Sequence, residues 1–113
     1  MIRTSEGTLL RIFIGDSDRH EGRPLSRVLV DRARARGLSG ATVLHGPMGF
    51  GRHSQVHNAG LADLQGDLPV VVELVGSLEA IQAFMADVDA LVPEGLVTLE
   101  TVRIVSYEKP AGA

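Results

Sequence analysis

The chain has no cysteine and no tryptophan, one tyrosine and one lysine. Without cysteine there is neither a disulfide framework nor a thiolate zinc site, and a reducing compartment fits. The shortage of aromatics and lysine removes the stacking platform and the broad basic stripe that nucleic-acid binding needs. No apolar run approaches the length of a membrane span, and no apolar segment followed by a cleavage site opens the chain. The expectation is therefore a cytoplasmic protein without signal peptide or direct membrane insertion. A length of 113 residues suffices for one core, so a single domain over 1–113 is expected.

The charges that are present are unevenly placed. The net charge is −3, yet residues 1–60 carry nine arginines against five acids, while residues 61–113 carry two basic residues against nine acids. Opposite charges on neighbouring elements help packing and solubility. The arginine-rich half also draws anions.

Periodicity gives the elements. TLLRIFIG at 8–15 alternates Leu10, Ile12 and Ile14 with Leu9, Arg11 and Phe13, which makes a strand with both faces at least partly covered. Residues 1–7 show no pattern and are expected to fray. DSDRHEGRP at 16–24 is a polar connection with Gly22 at a turn and Pro24 at a helix start. A helix over 25–36 puts Leu25, Val28, Leu29 and Ala33 on one face, with Gly37 to cap it and arginines in its last turn, where the helix dipole favours cations. GATVLH at 40–45 is a short strand, and LPVVVELV at 68–75 is the most apolar strand, hence central. Ser77 caps a second helix running to about 92, with Ile81, Phe84, Met85, Val88 and Val92 as its stripe. Pro93 and Gly95 break it before the last strand, VTLETVRIVSY at 97–107.

The order β-α-β-β-α-β is that of an α+β ferredoxin-like sandwich, a four-stranded antiparallel sheet with both helices on one face. The other face still carries Leu9 and Phe13, then Val71 and Val75 or their neighbours, then Val102 and Ile104 or their neighbours, with the phase of each strand left open by the sequence. That surface is too apolar for water, and homo-oligomerisation through the sheet is the expected remedy.

The connection over 46–67 far exceeds what a hairpin needs, so it reads as a binding loop. It opens GPMGFGRHSQVH at 46–57. Gly46, Gly49 and Gly51 can expose backbone N–H groups to an anion beside Arg52 as a bidentate donor; equally, they can do no more than permit a tight bend. His53 and His57, four apart, can share a metal that His45 or a symmetry-related residue completes. Asp16, Asp18, His20, Glu21 and Arg23 resemble an acid–base cluster, and also a self-paired solvated turn. No P-loop, GxSxG, HExxH or GxGxxG pattern occurs, so no catalytic residue or metal site is assigned. The topology is read as placing 16–24 and the long loop at opposite ends of the sheet, the loop near the turn at 93–95. A site at 46–52 would then be completed by a neighbouring subunit.

The runs LLRIFIGDSDRHEGRPL at 9–25, GLSGATVLHGPMGFGRHSQVH at 37–57 and DLPVVVEL at 67–74 resemble the small bacterial and archaeal proteins of the domain of unknown function 190 family. Those proteins are similar to the PII nitrogen-regulatory signal transducers. The resemblance implies trimers that bind adenine nucleotides in intersubunit clefts and use the long loop to engage membrane transporters or enzymes. Some family members are encoded beside, or fused to, fluoride-channel-like membrane proteins, which implies a transport-linked role. The PII loop matches 47–66, and its base matches 46–51. Tyr107 lies outside that loop, so the tyrosine modification of some PII proteins has no acceptor. The PII phosphate-binding loop matches LVPEGLV at 91–97, which has one glycine, no lysine and an acid at Glu94. This argues against ATP bound in the PII manner and leaves a smaller nucleotide or another anion held by arginines.

The resulting expectation is a non-enzymatic homotrimeric, PII-like signalling protein. It binds a small anionic effector, with an adenine nucleotide among the candidates, through Gly46, Gly49, Gly51, Arg52 and His53. Its long loop contacts a partner, for which a membrane transporter or channel is the candidate. Two alternatives stand beside it: a small metal-binding protein or enzyme using His20, His53 and His57, and a ligand-free structural adaptor of a membrane transport protein.

Overall fold

The computed structural model describes residues 1–50, 57–58 and 67–109. Its main elements are β1 (Ile2–Gly15), α1 (Leu25–Ala35), β2 (Gly40–His45), β3 (Pro69–Gly76), α2 (Leu78–Leu91) and β4 (Leu96–Tyr107). The four strands form one antiparallel sheet in the order β2-β3-β1-β4. The apolar strand β3 is indeed internal. Arg19–His20 also pairs with Arg23–Pro24, and Met48–Gly49 with His57–Asn58.

One alternation of each central strand makes the core. Leu10, Ile12 and Ile14 of β1 and Val70, Val72 and Leu74 of β3 are buried against Leu25, Val28, Leu29 and Ala33 of α1 and Ile81, Phe84, Val88 and Leu91 of α2. The period of two in the strands and the stripe on each helix converge on the same layer. Ser77 caps α2 as its sequence position suggests, accepting a hydrogen bond from the Ala80 N–H at 3.1 Å. The helices are cross-linked by a polar group that the apolar stripe does not reveal. Asp87, 4% exposed, accepts from Arg32 at 2.8 Å and from Arg36 Nε at 2.7 Å. The arginines closing α1 therefore serve its neighbour as well as its dipole.

The first strand is longer than its periodicity indicates. It begins at Ile2, paired with Tyr107, rather than fraying to Thr8. β3 stops opposite Thr8, so residues 2–7 and their β4 partners continue as a two-stranded ribbon. Hydrophobic periodicity registers burial, and residues 2–6 are exposed; a backbone ladder holds them, with one exposed ion pair between Arg3 and Glu108 at 3.9 Å. The ribbon's tip is closed by the Met1 amine donating to the Glu108 carbonyl and by the Glu108 N–H donating to the Met1 carbonyl at 2.9 Å.

Candidate functional site

The ends of the sheet decide which polar residues can meet. Each βαβ unit crosses over to a strand parallel to its first, so β1 and β2 finish at the same end, with antiparallel β3 starting between them. The expectation that 16–24 and the long loop lie at opposite ends is therefore wrong. The passage through α1 returns the chain, so β2 runs parallel to β1 and both loops leave the sheet at one end. The turn at 93–95 belongs to this end as well, since Leu96 pairs with Phe13.

The junction is built from short, specific contacts. The Asp16 N–H donates to the Leu68 carbonyl at 2.8 Å, and the Gly46 N–H to the Pro69 carbonyl at 2.8 Å. The Asp67 carboxylate accepts from the Ser17 N–H at 2.7 Å. That carboxylate occupies the space a side chain would need at Gly15, where a Cβ would come within 1.9 Å of Asp67 Oδ2. Both ends of the long loop are thus fixed, Gly46 to β3 and Asp67 to the β1 turn. His45 Nε2 lies 3.8 Å from Asp16 Oδ1.

The cluster at 16–24 folds on itself. Asp18 accepts from the Gly15 N–H at 2.9 Å, and Arg19 donates to the carbonyls of Asp16 and Asp18 at 2.9 and 3.2 Å. His20 and Arg23 pair across a two-residue turn in which Glu21 and Gly22 have φ of 50° and 80°. Both angles are positive, as a primed hairpin turn requires. The turn's backbone is thus self-paired, while Arg23 and Asp16 reach outside it, Arg23 to Asp31 of α1 at 2.6 Å and Asp16 towards His45 at 3.8 Å. Among the described residues, no group of three or more His, Asp or Glu could hold a metal ion.

The residues singled out in the long loop divide. Gly46 packs closely on Pro69, whose Cγ would lie 2.9 Å from a Cβ at that position, and its N–H is committed to the Pro69 carbonyl. Gly49 pairs with His57 in the small ladder at the loop's base. Gly51, Arg52 and His53 lie outside the described residues, as does the His57 side chain. Asp67, which ties the loop's return, was missed by sequence reasoning. Its signal was positional only, an acid placed directly before the LPVVVELV run.

The sheet face away from the helices holds the second feature. Leu9, Phe13, Val71, Val75, Val102 and Ile104 lie there half-buried, and Leu44 and Leu96 are 48% and 45% exposed. In their midst Arg11 donates to Glu73 at 2.9 Å and to Glu100 at 2.8 Å. The Glu73 hydrogen bond, reinforced by Glu100, holds the Arg11 guanidinium above its ordinary pKa against the opposing effect of desolvation. Arginine on an apolar strand is thus matched by cross-strand acids on both sides. Among the described residues, no helix is long and apolar enough to cross a membrane.

Known proteins share this architecture. The fold matches that of CPII, a nitrogen regulatory PII-like protein from Thiomonas intermedia K12, in its structure bound to ADP, AMP and bicarbonate. The TM-score is 0.60 at 16% identity, covering 90% of this chain and 98% of that one. It also resembles the divalent ion tolerance protein of Ehrlichia chaffeensis, with TM-score 0.54 and 11% identity over 95% of this chain and 83% of that one. At these identities the likeness is one of fold. In sequence, a UPF0166 protein of Aquifex aeolicus (strain VF5) is 36% identical over 104 residues, 92% of this chain and 98% of its own length. The model of the domain of unknown function 190 family, described as "Uncharacterized ACR", matches residues 7–104, and the chain belongs to that family.

Proposed function

We propose that the chain is the subunit of a PII-like homotrimeric regulator that binds a small anionic effector in clefts between subunits and signals through the loop at 46–67. The single observation that carries this is the gathering of the loop's two anchors, the turn at 16–19 and the turn at 93–95 at one end of the sheet. A ligand bound there would touch the root of a long loop, and a rooted loop can convey occupancy to a partner. The half-buried apolar face supports self-association, because it needs a cover that the described residues do not supply. An adenine nucleotide is the leading effector: CPII, which shares the fold, has been captured with ADP, AMP and bicarbonate.

The anion would rest on Gly49, Gly51, Arg52 and His53. Gly46 serves instead as a close-packed anchor, since its N–H is already engaged. The stretch 91–97 has no lysine, so arginine carries the charge. The partner is a membrane transporter or channel, met from the cytoplasm.

Calorimetry with ADP, AMP and bicarbonate tests this directly. Arg52→Ala should weaken effector binding about ten- to a hundredfold, the worth of one charge-assisted hydrogen bond, without changing assembly. Zinc binding abolished by His53→Ala, with no anion bound, would favour the metal-binding alternative instead.

A further inference from the structure

The helix-side surface of β2 is only half roofed. Ala41, Val43 and His45 face the helix layer, since they pair with Leu74, Val72 and Val70 of β3. Yet Ala41 and His45 are exposed and Val43 is half-buried. Between this edge and α1 runs a groove of about 730 Å³, a volume within the roughly 300–1,000 Å³ typical of small-molecule sites. Arg27, Val30 and Arg34, spaced three and four residues apart, form one stripe of α1 and line it. Val43 lines it from the strand, and Asp16 and His45 lie at the end nearest the loop's base.

The arginines of this region are not equally committed. Arg32 and Arg36 are held by Asp87. Arg23 and Arg27 share one acid, Asp31, at 2.6 and 3.3 Å. Arg34 is exposed and enters no ion pair among the described residues. The α1 wall, which Asp31 also lines, therefore keeps an excess of one positive charge, Arg27 and Arg34 against Asp31, beside Val30, and a second acid, Asp16, lies at the groove's end 3.8 Å from His45. Arg27 and Arg34 start roughly 10 Å apart along the helix axis, close enough for two long side chains to converge on one group above Val30.

We propose that this groove binds a phosphate monoester carried on an apolar body, with the phosphate between Arg27 and Arg34 and the body against Val30 and Val43. Two converging guanidiniums suit a dianionic tetrahedral group; a carboxylate is satisfied by a single fork. The groove belongs to one subunit and does not use 46–53, so it stands or falls apart from the effector site proposed above.

The test is titration of the ¹⁵N-labelled protein with phenyl phosphate, followed by amide shifts. The shifts should cluster at 26–34 and 41–45, and benzoate and benzyl alcohol should bind more weakly. Arg34→Ala should weaken phenyl phosphate binding about tenfold, a single charge-assisted contact, and Arg34→Lys should lose less. Arg34 is exposed, so an unchanged melting temperature will show that the variants fold. Shifts confined to 46–50 and 93–95, unchanged affinity in Arg34→Ala, or benzyl alcohol binding as tightly as phenyl phosphate would each overturn the assignment.

Discussion

Gly15 shows how much of the junction hangs on single atoms. Its missing Cβ leaves room for the Asp67 carboxylate, which in turn holds the Ser17 N–H. Gly15→Ala should cost about 1–3 kcal/mol, as overpacking does, in urea denaturation, and should free the loop's return at Asp67. Glu21 presents the reverse case. Its φ of 50° is a left-handed conformation that a non-glycine side chain adopts at a cost. Glu21→Asn, giving the favoured Asn-Gly pair, should raise stability by up to about 1 kcal/mol. Asp87 gives a pH signature. Hydrogen bonds from Arg36 and then Arg32 outweigh burial and hold its carboxyl below the ordinary 3.8. A carboxyl depressed in the folded state adds stability above its unfolded value and loses it as pH falls through the folded one. Asp87→Asn should therefore cost about 1–3 kcal/mol at neutral pH, and the difference from wild type should shrink below about pH 4, as followed by circular dichroism.

At the scale of elements, periodicity located what is buried and little else. α1 and the core faces of β1 and β3 were legible because their apolar residues repeat at 3.6 or 2. The ribbon at residues 2–7 was not, because exposed strands carry no such pattern. The Asp87 link escaped for a related reason: an acid beside Val88 breaks no stripe, and only the distant arginines of α1 give it meaning. The site was less legible than the fold. Its geometry depends on the parallel relation of β1 and β2, a property of the whole topology that no local motif records. Hydrogen exchange should reveal the seam within β1. Amides over 8–13, flanked by two strands, should exchange slowly, and those over 2–6 faster in a dissociated subunit. Uniform protection along β1 in that subunit would contradict this division.

For the whole molecule, the sheet's outer face is the decisive surface. Its apolar rows and the Arg11–Glu73–Glu100 cluster suit a partner face better than bulk water. Phe13→Glu should dissociate the proposed trimer without unfolding the chain, because Phe13 points away from the core layer. Light scattering measures the loss, and circular dichroism checks the fold. The most direct measurement of the account is native mass spectrometry of the purified protein with ADP, which reads subunit number and ligand number together. The expected spectrum is a trimer that takes up as many as three nucleotides, with uptake reduced in Arg52→Ala. A monomer, or a trimer that takes up neither ADP nor AMP at saturating concentration, would contradict it.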